Sequence, residues 1–485
     1  DRLYGPYWSR RAETLLAGSV SSASGPKDAK LLIRAAESLF RAGQFEQAVA
    51  AYDQAAEQAA QTKQDDLAFD AGYTAAVVEQ EQGRRREAAE RFRRLALNLP
   101  KHAKAGDAHL LAIYNTAQAA KTDPAAAADE YPALLQEHLQ HFSGAPSANQ
   151  ARLWLGKLRE RQRDYSAAIA AYRDISADDP RYLEAVEGAA RSHKNRLAEL
   201  SAAGEPTREA AEQAARYFEQ LVLGDRNKLP ERWTPVERLA ATTAAEIWLQ
   251  YGADEFDRAE RIVAAALASA GDAPDAWRSE AEGLLVFALA GQGRRDEAAR
   301  RLASLANGSP RQLLLLVEGL GRIGKQAPPA VRRELAELEL QAAGLLRDQR
   351  NGLSAADRKS FDLAYAEALV AADQRDEALK LLAGMAEAAP RDGQIQETYA
   401  QLLLDGPDKA SWQAALLKWR EIEKKCRTGG ERWLRAIYHQ ALALERLGQK
   451  DQAAKLVKLT QALHPELGGP EAKAKFLELL KRCDR

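Results

Sequence analysis

Four groups of residues have types and spacing that chemistry could use. In "LLLLVEGLGRIGKQ", Gly319, Gly324 and Lys325 keep the spacing of a phosphate loop after an apolar run. That chemistry also needs a Ser or Thr after the lysine to hold magnesium, and a helix starting there to aim its amides at phosphate. Gln326 stands at the hydroxyl position, Pro328 and Pro329 follow at once, and no partner strand ending in Asp is evident. The stretch is therefore expected to be an array helix with a glycine-loosened end. His138 and His141, beside Glu137, are three residues apart and could share a helix face as metal ligands. Without a third ligand they are expected to be a surface pair near a helix end. The acidic pairs Asp65-Asp66 and Asp178-Asp179 suit helix starts, where carboxylates stabilise exposed amides. Cys426 and Cys483 are the only cysteines, too few for a disulfide scaffold or a cysteine zinc site, and are expected to be unpaired thiols. No Ser/His/Asp arrangement can be argued. The expectation is no catalytic residue, no metal site, no cofactor and no enzymatic activity.

Composition narrows the class. The chain has 485 residues, 46% hydrophobic and 29% charged, and a net charge of −1. One globular core rarely grows so large, so several domains or a repeat array are expected. A nucleic-acid partner is not expected, because binders of that kind carry a basic excess. The run Arg84-Arg85-Arg86 with Arg91, Arg93 and Arg94 is interleaved with Glu87 and Glu90 and reads as a solvated helix face. The longest bulky apolar run, Leu313 to Val317, is far short of a bilayer span.

The positioning elements are helices throughout. Alternation typical of strands is nearly absent, while Ala, Leu, Glu, Gln and Arg recur at helical spacing. Phe45, Ala48, Val49, Tyr52 and Ala55 share one face. The same order of punctuation returns along the chain. "WLGKLRERQRDYSAAIAAYRDISADDP" has Gly156, Tyr165, Ala168, Tyr172 and Pro180, and "LLVFALAGQGRRDEAARRLASLANGSP" has Gly293, Ala298, Leu302 and Pro310. Further units carry Gly83, Ala88, Phe92 and Pro100; then Ala378, Leu382 and Pro390; then Gly448, Ala453, Val457 and Pro465. Alanine at the crossing of two helices lets their axes approach. Glycine at the turn accepts the left-handed conformation, and each proline is expected to stop the second helix.

Small residue, Gly, Tyr/Phe, Ala, Tyr/Phe and Pro, most complete from Trp154 to Pro180, resembles the tetratricopeptide repeat. The resemblance implies an all-α fold: an α-α superhelix of about ten or eleven antiparallel helix pairs with a capping helix at 470–483. The organisation expected is an amphipathic N-terminal helix and Ser/Gly linker over 1–26, an array over 27–226 and a second over 227–485. The start at Asp1 and the aromatic cluster of Tyr4, Tyr7 and Trp8 suggest the tail of something longer.

In this family the first helix of each pair lines the concave wall. Carried onto the well-matched units, partner-binding positions are Ile33, Glu37, Phe40 and Arg41; Tyr73 and Val77; Leu153, Lys157 and Arg161; and Tyr438 and Arg446. The Lys and Asn pair that clamps a terminal carboxylate in chaperone-binding members is replaced by Ile33 and Glu37, Tyr73 and Val77, and Leu153 and Lys157. The function implied is a non-catalytic scaffold or adaptor for protein or peptide partners. Bacterial cell-envelope members are resembled around Trp154, which implies a periplasmic setting, although an intracellular adaptor is mechanically equivalent. Two other readings stay open: a regulatory or substrate-presenting module of a larger membrane or enzyme protein, and an enzyme with Glu37, Lys157, Arg161 and His193 in the groove.

Overall fold

A computed structural model describes residues 11, 15, 28–121, 129–224, 227–252 and 255–483. The expected helix and linker over 1–26 lie outside the described residues, apart from Arg11 and Leu15. The chain divides into two units, Asp1–Ala210 and Ala211–Arg485. Among the described residues there are 23 α-helices and no strand, so the all-α helical-repeat reading holds.

In the first unit the helices are α1 (Ala29–Arg41), α2 (Phe45–Gln61), α3 (Asp65–Glu81), α4 (Arg85–Asn98), α5 (Ala105–Ala119), α6 (Glu130–His141), α7 (Ala148–Arg161), α8 (Tyr165–Arg173) and α9 (Tyr182–Ala202). The division between units falls within α10 (Arg208–Leu223). The second unit continues with α11 (Pro235–Tyr251), α12 (Phe256–Ala268), α13 (Asp275–Gly291), α14 (Arg295–Leu302), α15 (Pro310–Gln326), α16 (Pro329–Arg347), α17 (Ala355–Ala371), α18 (Arg375–Ala388), α19 (Gly393–Leu404), α20 (Lys409–Lys424), α21 (Glu431–Arg446), α22 (Lys450–Leu463) and α23 (Pro470–Cys483). Within each unit most helices adjacent in sequence pack on one another, while α15 packs on α13 and α16. The last one, α23, buries Phe476 and Leu479 and keeps Lys475 and Lys481 in solvent.

Close approach is secured by alanine. Ala48, Ala168, Ala298 and Ala453 are all 0% exposed, so nothing larger fits where the paired helices cross. Eight of the turns repeat one backbone solution. Gly43, Gly83, Gly204, Gly293 and Gly448 have φ between 72° and 79°, and the amide that follows each bonds back to a carbonyl in the last turn, as Gln44 N does to Leu39 O at 2.9 Å. Lys63, Arg163 and Asp373 do the same work with φ of 57°, 61° and 66°, although none is a glycine. A side chain in that region costs about 1–2 kcal/mol, and glycine returns part of the gain through unfolded-state entropy. Lys63→Gly and Asp373→Gly should therefore each raise stability by about 0.5–1 kcal/mol. Urea midpoints that fall instead would show that these turns are not strained.

Two expectations about punctuation change. Gly156 is not a turn residue; it lies inside α7, where an added Cβ would come closer than 3.0 Å to the Tyr172 ring. Gly188, inside α9, meets the same ring from the other side. Pro310 does not stop a helix either. It is the first residue of α15, where the missing N–H costs nothing, and Ser309 and Gln312 form a capping box around it.

Candidate protein-interaction faces

The residues that could do chemistry settle first. The Gly319–Lys325 spacing lies wholly inside α15, with Gly319 packed under the Phe287 ring, so no loop is available to cradle a phosphate. Cys426 and Cys483 are not joined in a disulfide. Among the described residues no group of three His, Cys, Asp or Glu could hold a metal ion, and no helix is long and apolar enough to cross a membrane.

His138 is not the surface residue expected. It is 0% exposed, in a cluster of three rings with His109 and Phe142, and among the described residues neither of its nitrogens has a hydrogen-bond partner. Burial chiefly, with His109 and Arg152 adding, holds its pKa down at about 4. His141 is exposed. Beside them Glu137 ties three helices together: Arg93 Nη2 of α4 donates at 2.6 Å, and His109 Nε2 of α5 is 2.9 Å away. The Arg93 bond in particular holds the Glu137 carboxyl down at about 2.

The basic run of α4 is likewise more than a solvated face. Arg91 pairs with Asp53 of α2 and with Glu79 of α3, the latter at 2.7 Å, and Arg85 donates to Asn115 of α5 at 3.0 Å. These arginines join successive pairs. An acidic residue on the neighbouring helix was the signal available in sequence, but its register could not be read.

One cleft in the first unit collects sequence-expected site residues. It has a volume of about 500 Å³ and is lined by Tyr131 of α6, Trp154, Lys157, Glu160 and Arg161 of α7, and Arg191 of α9. Glu160 accepts from Arg191 Nε at 3.0 Å and from the Tyr172 hydroxyl at 2.9 Å. Lys157 Nζ pairs with Glu184 at 2.5 Å. Arg161 is exposed and has no ion-pair partner among the described residues; its charge acts on the Tyr131 hydroxyl against the effect of burial. The cleft thus offers two half-buried rings, a satisfied polar wall and, among the described residues, one free cation at the rim.

Leu153 does not share this face. It is 2% exposed and sits in the packed interior. Trp154, the next residue, takes the position expected of it: the open face of α7 is rotated by one residue from the family register carried over by resemblance.

The other expected residues are spread out. On α1, Glu37 and Arg41 are exposed, 4.0 Å apart. Ile33 and Phe40 are half-buried, and Phe40 meets Phe45 edge-on at 5.4 Å. On α3, Val77 packs into the core formed with α4 and α5, and Tyr73 stacks on Phe69 at 6.2 Å and meets Phe92 edge-on at 5.3 Å. In the second unit Tyr438 packs edge-on against Phe476 at 5.3 Å, and Arg446 donates to the Leu404 carbonyl. Of the four groups weighed for a catalytic groove, Lys157 and Arg161 share the Trp154 cleft, Glu37 lies on α1, and His193 is buried in α9 outside the cleft lining.

A tetratricopeptide repeat model matches residues 31–62, 150–181 and 435–466. These coincide with α1–α2, α7–α8 and α21–α22. Comparison with curated proteins returns no match. Among solved structures, a tetratricopeptide repeat protein from Parabacteroides merdae ATCC 43184 is 14% identical with a TM-score of 0.30, covering 61% of this chain and 99% of that one. Yeast Tom70 is 12% identical with a TM-score of 0.32, covering 87% and 99%. The complex of Naa15/Naa10 bound to HypK-THB gives 13% and 0.34, covering 94% and 80%.

Proposed function

We propose that this chain, a helical-repeat scaffold carrying tetratricopeptide repeats, acts without catalysis and grips an extended polypeptide segment in the Trp154 cleft of its first unit. The observation that supports this reading is the pairing of two half-buried rings, Tyr131 and Trp154, with an exposed Arg161 that has no ion-pair partner among the described residues. Rings of this kind supply large contact area at small entropic cost, and arginine beside them is a common anchor. The partner segment should carry an apolar side chain for the ring pocket and a carboxylate within a few residues for Arg161. Ile33, Glu37, Phe40, Arg41, Tyr73 and Val77 are proposed as further contacts on the first unit, and Tyr438 and Arg446 as contacts on the second.

Selection of displayed random peptides on the full chain tests this. Recovered sequences should share an apolar residue followed closely by Asp or Glu. Arg161→Glu should turn the preference toward Lys or Arg, and Trp154→Ser should lower enrichment at least tenfold while helicity by circular dichroism stays unchanged. Enriched peptides without the acidic position, or enrichment indifferent to both variants, would overturn the reading.

A further inference from the structure

The second unit holds a larger cleft of about 820 Å³, whose lining includes residues of α15, α16, α17, α19, α20 and α21. Its charges do not cancel. Lys325 is already paired with Glu367 at 2.6 Å. Arg332 is spent on the carbonyls that end α15, with its Nε 3.1 Å from Gly324 O and an Nη 3.2 Å from Lys325 O. Arg435 bonds Glu397 at 2.9 Å and Glu431 at 2.5 Å. Every arginine and lysine of the lining therefore has its partner.

Of the four lining carboxylates, Glu367 and Glu397 are matched to these cations, but Glu339 and Asp405 are not. Glu339 is 4% exposed, lines the cleft, and has no hydrogen bond or ion pair among the described residues. Its carboxyl lies against the backbone of Gly321, where any Cβ would come as close as 2.8 Å to Oε1. Asp405, across the cleft, has only Gln401 Nε2 at 3.0 Å and a distant Arg446 at 3.9 Å. A nine-tenths-buried carboxyl without a partner is costly unless something arrives to satisfy it. Apolar lining from Ala336, Val370, Leu382, Leu402 and Trp419 surrounds these acids. A group with an apolar stem and a cationic head fits both features.

We propose that this cleft is a binding site for an alkylammonium group, with Glu339 as its buried counter-ion and the apolar lining around its methylene stem. The electrostatics of the site agree. Burial first, and the Glu367 charge second, push the Glu339 pKa up to about 8, against a smaller opposing effect of Lys325. The groups facing it are Lys325 from α15 and Glu367 from α17; on the α14 side Arg295 is paired with Glu334, another residue of α16. At neutral pH Glu339 is thus largely uncharged, and an arriving ammonium expels its proton. This site is separate from the Trp154 cleft, so either reading can fail alone.

The test is calorimetry on the full chain with three probes: the peptide Ac-Ala-Lys-Ala-amide, its norleucine analogue, and spermidine. The lysyl peptide or spermidine should bind with release of close to one proton at pH 7. Affinity should rise about tenfold per pH unit between 6 and 7 and level off above 8. The norleucine peptide should not bind. Glu339→Gln, which matches the neutral carboxyl in shape and should leave the fold intact, should weaken binding at least tenfold at pH 8 and abolish the pH dependence. Binding of the peptide alone assigns the ammonium to a partner polypeptide, and binding of spermidine alone to a free amine. No binding by either amine, equal binding of norleucine, or an unchanged Glu339→Gln variant would overturn the proposal.

Discussion

Tyr172→Ala should cost the first unit about 3–5 kcal/mol, among the largest losses expected from a single truncation. Tyr172 is 2% exposed, and its ring lies against Gly156 of its own pair and Gly188 of the next. It is therefore the contact through which one repeat is seated on its successor. Removing the ring leaves a cavity between α7, α8 and α9, because the two glycines have no side chains with which to close it. It also takes away the hydroxyl that Glu160 accepts, leaving Arg191 to hold that carboxylate alone. The reverse change should fail for the opposite reason. Gly188→Leu puts four carbons where the ring already is, forces the helices apart and should cost about 1–3 kcal/mol or more. Ala168→Trp, at a 0% exposed crossing, should cost as much. Urea unfolding of the three variants measures this. Midpoints within error of the parent chain would mean that α7, α8 and α9 are not packed as described.

Acid should be the second strong perturbation, acting on the first unit between pH 6.5 and 4. His138 is 0% exposed and His193 9% exposed, and burial is the leading cause that holds each pKa at about 4. His109, 0% exposed, is lowered in the same direction, also by burial first. These folded values lie below the ordinary imidazole value, so on acidification the unfolded chain takes up protons that the folded chain refuses. The contribution of each histidine is whole above pH ~6.5, shrinks as pH falls, and stops shrinking near its folded pKa. At ~1.4 kcal/mol per pH unit, His138 and His193 should each forfeit about 2–3 kcal/mol by pH 4.5. The Glu137 carboxyl, held at about 2, adds its own loss only below the ordinary carboxylate range. His138→Phe keeps a ring beside His109 and Phe142 without a titrating nitrogen. It should remove about 2–3 kcal/mol of the loss between pH 7.5 and 4.5 in urea titrations, the rest remaining with His109, His193 and His439. Equal slopes in the two proteins would contradict the buried, neutral assignment.

The helices were legible because the signals that make them are local. Alanine at each crossing, apolar residues three and four apart, and glycine at Gly43, Gly83, Gly293 and Gly448 all act within a turn or two of chain. What could not be read depended on partners distant in sequence. Gly156 looks like a turn glycine until the Tyr172 ring is seen above it. Lys63, Arg163 and Asp373 adopt the glycine conformation because the packed pair around them dictates it, against their own preference. His138 looked like an exposed helix-end residue because nothing nearby in sequence announces that His109 and Phe142 close over it.

The candidate faces were legible to the same degree. Lys157 and Arg161 were picked out and do share a cleft, while Leu153 was one residue from the open position held by Trp154. A single-residue error on a helix turns a side chain by about 100°, enough to exchange surface for core. The second-unit cleft had no sequence signal at all, since Glu339 of α16, Glu367 of α17 and Asp405 just past α19 are brought to it by the fold.

The central claim is that the ring-and-arginine cleft of the first unit is where a partner segment lies. Hydrogen exchange on the full chain, with and without a saturating selected peptide, tests it most directly. Slowed exchange is expected in α6, α7 and α9, around Tyr131, Trp154 to Arg161 and Arg191, and should disappear with Arg161→Glu. Protection confined to other helices, or none at all with peptide bound, would contradict it.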